Sequence, residues 1–193
     1  MFSNSAGTVS RRRALVIASL AAAGAVTVVL RPAGSDNGSS ANAGVTVVEY
    51  DDAGRKLRTA TRKKVIRSDG DWRRQLTTQQ YWSARRGTTD TPFTGTYYRI
   101  EAGGLFRCVC CQSPLFRSET KFDSATGWPS FSAPIAAENI WTQSDRSLAE
   151  ERVEILCRLC DAHLGHVFDD GPPPSGLRYC LNESALRFIP RAT

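Results

Sequence analysis

Two CxxC pairs, Cys108-x-x-Cys111 and Cys157-x-x-Cys160, constrain the fold of this chain more than any other feature. Four thiolates complete the usual tetrahedral shell of a structural zinc ion, so the two pairs have to meet in space as knuckles. The intervening 45 residues exceed a zinc-finger spacing and suit knuckles that join two sheets. Disulfides are the rival use of cysteine in an exported protein, but paired CxxC spacing favours the metal. The run CVCC at 108–111 admits more than one pairing; spacing selects Cys108 and Cys111 and leaves Cys110 as an extra thiol, most often a small buried hydrophobe.

The second knuckle opens a segment in which chemistry is concentrated. CRLCDAHLGHVFDDGPPPSGLRYCLN, Cys157 to Asn182, holds both histidines of the chain, His163 and His166, and carries Cys180 beyond a turn-rich loop. A histidine pair at i, i+3 can complete a second metal site, but four cysteines already fill one shell. A staple and a candidate nucleophile therefore share one segment.

At 193 residues the chain is long enough to bury a core without disulfides. Its net charge is +6, yet four of the 25 basic residues and one of the 19 acidic ones precede residue 44, leaving an excess of +3. That excess is scattered, with no basic stripe interleaved with aromatics, so nucleic acid is not expected as a partner. Ser10-Arg11-Arg12-Arg13 followed by the uncharged run Ala14–Leu30 has the layout of an export signal. SRRRALV resembles a twin-arginine motif, with Ala14 where Phe is usual. Ala41-Asn42-Ala43 offers a cleavage site, which makes export to the periplasm the expectation. The rival is an uncleaved anchor, the only way in which a membrane would be a partner.

The organisation expected is residues 1–43 as export signal and linker, 44–70 as an N-terminal extension with a possible β-hairpin (VTVVEY, turn, Lys56 to Ile66), and 71–193 as the catalytic domain. Ser68 or Asp69 can cap one short helix, and TTQQYWSARRG reads as a second, ended by Gly87. From TYYRIE onward the short apolar runs GGLFRCVCC, PLFRS, ERVEILC, HVF, GLRYCLN and ALRFI, separated by Gly, Pro, Ser or Asp, predict a mainly β domain. Two antiparallel sheets in a sandwich-like or tent-like arrangement, with helices confined to the N-terminal side, are the expected architecture. The domain is expected to be a monomer.

Four segments together, CxxCxxPLF from Cys108, KFDSATGWPSF from Lys121, CRLCDAHLGHVFDDGP from Cys157 and GLRYCLNESALRF from Gly176, closely resemble the B-type methionine-R-sulfoxide reductases. The likeness runs from about Trp72 to Phe188 and includes TPFTG at Thr91. The resemblance implies two antiparallel sheets, one structural zinc ion away from the active site, and the R epimer of methionine sulfoxide, free or in proteins, as substrate. It makes Cys180 the nucleophile, which becomes a sulfenic acid, and places His163, His166 and Asn182 in the site. Reduction by a thiol needs an activated cysteine with proton donors nearby, and these residue types meet that need. Arg178, on the same side of a strand as Cys180, either lowers the thiol's pKa or is a surface arginine. Trp128 either packs on the substrate's S-methyl group or is a core residue; Phe168 is the second expected substrate-binding aromatic.

The departures from that pattern are informative. Thr126 and Thr94 occupy the two places where relatives carry a resolving cysteine. The expectation is a one-cysteine cycle in which an external reductant of thioredoxin type attacks the sulfenic acid. A reading from another class, a non-catalytic zinc-stapled binding module, would have no use for Cys180 and the two histidines.

Overall fold

The structure, a computed structural model, describes residues 44–191. The twin-arginine motif, the apolar run and the Ala41–Ala43 site lie outside the described residues. Strands β1 (Gly44–Tyr50) and β2 (Lys56–Lys63) form an antiparallel hairpin. Helices α1 (Asp69–Gln75) and α2 (Thr78–Arg86) follow, then β3 (Gly104–Cys108), β4 (Pro114–Arg117), β5 (Lys121–Phe122), β6 (Ser130–Phe131), β7 (Ile140–Asp145), β8 (Arg152–Cys157), β9 (His163–Phe168), β10 (Arg178–Leu181) and β11 (Leu186–Pro190). All pairings are antiparallel and build a six-stranded sheet in the order β5-β6-β10-β9-β8-β7 and a three-stranded sheet, β11-β3-β4. The mainly β architecture expected from the short apolar runs is what forms.

Both helices start where their caps dictate. Ser68 and Asp71 make a capping box on α1, Thr77 and Gln80 make one on α2, and α2 ends at Gly87, whose φ of 71° is the left-handed conformation glycine takes without strain. A cap is worth about 1 kcal/mol, whereas a fully buried phenylalanine contributes roughly 1.5–3 kcal/mol. Phe106, Phe116 and Phe131 are all 0% exposed and meet with ring centroids 4.7–4.9 Å apart. The seam between the sheets, rather than the helices, therefore holds the domain.

The helices instead clamp the knuckles. Gln75 Nε2 donates to the Cys110 carbonyl at 2.7 Å and Arg85 Nη1 to the Cys160 carbonyl at 2.8 Å. The hairpin is stitched on through Asn139, which is 0% exposed: its Oδ1 accepts from Val48 N–H at 2.7 Å and its Nδ2 donates to the carbonyls of Val48 and Pro114.

One expected strand is not a strand. TYYRIE forms a 3-10 turn at Tyr97–Arg99, because the Glu183 carboxylate accepts from the N–H groups of both Thr96 and Tyr97 and ties off the start of a turn.

Candidate active site and metal centre

The two knuckles have the same backbone design. Cys108 ends β3 and Cys157 ends β8; in each, the cysteine N–H donates to the carbonyl five residues on, and its carbonyl accepts from the N–H four residues on, Gln112 or Asp161. Both of those residues take a left-handed φ, 64° and 54°. Two like turns thus present two sulfurs each to one point. The Sγ atoms of Cys108, Cys111, Cys157 and Cys160 all lie within 4.8 Å of one another, with Cys108–Cys160 at 3.6 Å and Cys111–Cys157 at 3.5 Å. A zinc tetrahedron with Zn–S bonds of about 2.3 Å has S–S edges of about 3.8 Å. The donor set and spacing fit one structural zinc ion, with every protein position of the shell filled by sulfur. Cys110 packs against the Cys108 and Cys160 sulfurs, and hydrogen bonding with Cys108 pushes its thiol up to about 12. Its neighbours are knuckle sulfurs, whereas those of Cys180 are Arg178, Thr126 and Ser130.

A second row of residues crosses the six-stranded sheet. Ser130 on β6, Cys180 on β10, His166 on β9, Glu154 on β8 and Gln143 on β7 are successive register partners. Directly opposed residues of antiparallel strands share a face, so register alone collects hydroxyl, thiol, imidazole and carboxylate. The alternate residues Leu181, Phe131 and Ile155 are buried in the core. A one-residue slip would exchange the two sets.

Carboxylates fix both imidazoles. Asp145 Oδ2 lies 2.7 Å from His166 Nε2 and also accepts from Arg152 Nη2 at 2.7 Å. Hydrogen bonds from Ser147, His166 and Arg152 hold its carboxyl far below the usual range. Glu154 Oε1 lies 2.6 Å from His163 Nδ1; its burial opposes ionisation, but the bonds from His163 and Gln143 outweigh that and lower its pKa. Ionised carboxylates only accept, so His166 donates from Nε2 and His163 from Nδ1. Burial lowers the pKa of His166, which favours the neutral imidazole. In that state His166 Nδ1 is an acceptor.

Burial also dominates at Cys180, pushing its thiol up against the opposing influence of Arg178 and of hydrogen bonds from Thr126, Arg178 and Ser130. The resting group is therefore a thiol at neutral pH. Its alkylation by iodoacetamide is expected to accelerate with pH about a midpoint above the ordinary thiol value of about 8.5, and in Arg178→Met to move higher still. Mass-spectrometric rates across pH check this. Arg178 is 8% exposed, bonded to both oxygens of Asp170 at 2.8 and 2.9 Å, and stacked 4.4 Å from the Phe168 ring centre.

Cys180 opens onto a cavity of about 120 Å³ lined by His166, Phe168, Trp128 and Asn182 of the expected residues, with Thr89, Arg152, Gly165 and Leu181. His163 and Arg178 stand outside that lining, His163 with its ring 5.4 Å from that of His166. Trp128 Nε1 donates to the Asp90 carbonyl at 2.8 Å, Asp90 N–H donates to Asn182 Oδ1 at 2.9 Å, and the Asp90 carboxylate accepts from Ser184. Asp90 thereby positions two of the lining residues, as Asp145 and Glu154 position the histidines. The sequence reading missed all three, together with Arg152; the polar, strand-length run ending at Asp145 was the one available signal.

Gly165 lets these strands close. Its φ is 148°, and a Cβ there would lie 2.0 Å from the Cys180 carbonyl oxygen. Backbone cannot yield as a side-chain end does, so Gly165→Ala is expected to cost about 3 kcal/mol or more, with a drop of several degrees in Tm by calorimetry and displacement of Cys180.

Comparison with known proteins places this geometry. A family model described as the SelR domain matches residues 76–190, so the β1–β2 hairpin precedes the match. The peptide methionine sulfoxide reductase MsrB of Hahella chejuensis is 56% identical over 125 residues, covering 65% of this chain and 90% of that protein. MsrB of Herminiimonas arsenicoxydans is 48% identical over 126 residues, covering 65% and 92%. MsrB of Agrobacterium fabrum is 48% identical over 130 residues, covering 67% and 96%. With the model spanning helix α2, both knuckles and the Cys180 row, and with relatives covered almost end to end, the chain belongs to the SelR-domain family of peptide methionine sulfoxide reductases, MsrB.

Proposed function

We propose that this chain reduces methionine sulfoxide, free or within proteins, to methionine, with Cys180 as nucleophile and the R epimer as substrate. The observation that carries the reading is the register that sets the Cys180 thiol beside His166 in a small cavity walled by Trp128 and Phe168. The thioether end of the substrate fits between these aromatics, where a sulfur–aromatic contact is favourable. The Cys180 thiol proton passes to the acceptor nitrogen of His166 as sulfur attacks sulfur, and the imidazolium, held by Asp145, delivers it to the sulfoxide oxygen. The methionine sulfur–oxygen bond and the transient sulfur–sulfur bond both break as the protonated oxygen passes to the Cys180 sulfur, which releases methionine. Cys180 is oxidised by two electrons to the sulfenic acid and methionine sulfur is reduced by two. His163, on the same strand and fixed by Glu154, supports the proton path, and Asn182 holds a face of the cavity.

The second half of the cycle uses an external dithiol of thioredoxin type. Its first thiol condenses with the sulfenic acid, releasing water and forming a mixed disulfide; its second restores the Cys180 thiol and leaves as a disulfide. Threonine at 126 and 94, and the burial of Cys110 among knuckle sulfurs, support a cycle without an internal resolver. Bound zinc cross-links the sheets through Cys108, Cys111, Cys157 and Cys160 and takes no part in the proton path. The charged-then-apolar leader supports export to the periplasm by the twin-arginine route; the N-terminal sequence of protein recovered from cells is expected to begin after Ala43.

Racemic methionine sulfoxide with dithiothreitol tests the reading. Purified protein is expected to consume half of it, the R epimer. No consumption, or consumption of the S epimer, would refute the proposal.

A further inference from the structure

Cys180 is bordered by neutral hydroxyls as well as by charges, and the reduction steps above use only the charges. Ser130 of β6 is the register partner of Cys180, so their side chains share a face of the sheet. Ser130 and Thr126 are the hydroxyls that hydrogen-bond to the Cys180 sulfur. Ser124 joins them. Its Oγ lies 2.8 Å from Thr126 Oγ1 and 2.7 Å from Ser130 Oγ, and Ser130 Oγ donates to the Trp128 carbonyl at 3.2 Å. The backbone is shaped to hold Thr126 in place. Ala125 and Gly127, on either side of it, both take a left-handed φ, 56° and 84°. The Asp123 carboxylate accepts from Ala125 N–H at 2.8 Å, and the Gly127 carbonyl accepts from Phe93 N–H at 3.0 Å. A left-handed alanine is strained, and strain kept beside a reactive group points to a residue that has to be aimed.

The protons of this cluster have two arrangements. With Cys180 as a thiol, S–H donates to Thr126, Thr126 to Ser124, Ser124 to Ser130 and Ser130 to the Trp128 carbonyl, so every proton has an acceptor. Once Cys180 has lost its proton, Thr126 and Ser130 can both turn to the sulfur, with Ser124 donating to one of them. The contacts given up are to neutral oxygens, whereas those gained are to an anion and are roughly twice as strong. Resting on the reductase reading, in which Cys180 is the nucleophile, the structure assigns Thr126 and Ser130 as the donors that turn to the Cys180 sulfur when it becomes an anion, with Ser124 as the hinge between them. The charges around the thiol do not replace these donors. Arg178, on the same strand, is bonded to both oxygens of Asp170; His166 on β9 is held by Asp145, as is Arg152, which lines the same cavity. Each of these groups is already committed to a carboxylate, while the hydroxyl protons are held only by neutral oxygens.

The test reads the ionisation of Cys180 in the absence of substrate. Alkylation by iodoacetamide is followed across pH in full-length, zinc-loaded protein, with peptide mass spectrometry reporting Cys180 alone. Thr126→Val keeps the shape of the side chain and removes the hydroxyl, and it is expected to raise the midpoint by about one pH unit, the worth of a hydrogen bond to a charged group. Thr126→Ser keeps the hydroxyl and removes the methyl, and it is expected to leave the midpoint where it is in wild type. Ser130→Ala is expected to raise the midpoint as well, and the double variant Thr126→Val with Ser130→Ala to raise it further. Should the buried Ser130 variant fail to fold, the two Thr126 variants decide the matter. An unchanged midpoint in Thr126→Val would overturn the assignment, and so would an equal rise in Thr126→Ser, which would trace the effect to packing of the methyl group. In turnover of methionine R-sulfoxide, kcat/KM of Thr126→Val is expected to fall roughly tenfold at neutral pH and to recover as pH rises through the new midpoint. A loss that pH does not recover would also count against it. If wild-type protein does not reduce methionine sulfoxide at all, the reductase reading fails instead, a result distinct from the alkylation midpoints.

Discussion

Cys180→Ser is expected to lower turnover of methionine R-sulfoxide by a factor on the order of 10⁴ or more while leaving the fold and zinc content unchanged. The size follows from the chemistry: removing the nucleophile of a coupled set abolishes the covalent route and leaves only binding and orientation. A serine hydroxyl is far less nucleophilic than a thiol, and the oxygen it would have to accept forms a peroxide-like bond in place of a sulfenic acid. Little stability is at stake, because the exchange of sulfur for oxygen occurs on the site-facing side of β10 while Tyr179 and Leu181 keep their packing toward the core. The side chain is small in both cases, and Ser130, its register partner, tolerates a hydroxyl neighbour. The measurement is a steady-state assay with dithiothreitol, paired with circular dichroism and metal analysis. Activity above a few per cent of wild type would remove Cys180 from its role.

Removal of zinc is expected to unfold the domain rather than slow it. Structural zinc bound by four cysteines contributes about 10–16 kcal/mol of folding free energy at neutral pH, while the net stability of a domain is about 5–15 kcal/mol. Loss of the metal thus cancels most or all of the stability. The placement of the ligands makes the loss global: Cys108 ends β3 of the three-stranded sheet and Cys157 ends β8 of the six-stranded sheet, so the ion joins the two layers. Cys108 and Cys157 are 0% exposed, and without metal their neighbouring thiols would be left as poorly matched buried polar groups. Cys157→Ser or a strong chelator is expected to abolish the cooperative thermal transition and the β-type circular dichroism. A zinc-free protein that retains both, and that still turns over, would show that the knuckles hold without the ion.

These predictions separate what local sequence encodes from what register encodes. The knuckles were readable because CxxC spacing states the turn and the ligand count at once, and the helix starts because Ser68 and Thr77 carry their own caps. Cys180, His163 and His166 stood out as residue types with few other uses. Their partners were not readable, because Asp145 and Glu154 reach the histidines through strand pairing across 21 and 9 residues. The strand carrying Asp145, IWTQSD, sits at an edge and is mostly polar, so no apolar period marks it. Strands β5 and β6 are two residues each, below any pattern, yet β6 places Ser130 opposite Cys180. TYYRIE has strand composition and is overridden by Glu183, 86 residues away from Tyr97. Asp90 is equally remote, bonded to Asn182 across 92 residues. Propensity yields in each case to a long-range hydrogen bond that only the assembled fold supplies.

The most direct measurement is mass spectrometry of the reduced, zinc-loaded protein after one equivalent of methionine R-sulfoxide, with no added reductant and with sulfenic acids trapped by a dimedone-type reagent. The expected result is one equivalent of methionine and a single trapped sulfenic acid on Cys180, with Cys110 still a free thiol. A Cys110–Cys180 disulfide would contradict the one-cysteine cycle, and unmodified Cys180 with unconsumed sulfoxide would contradict Cys180 as the reducing centre.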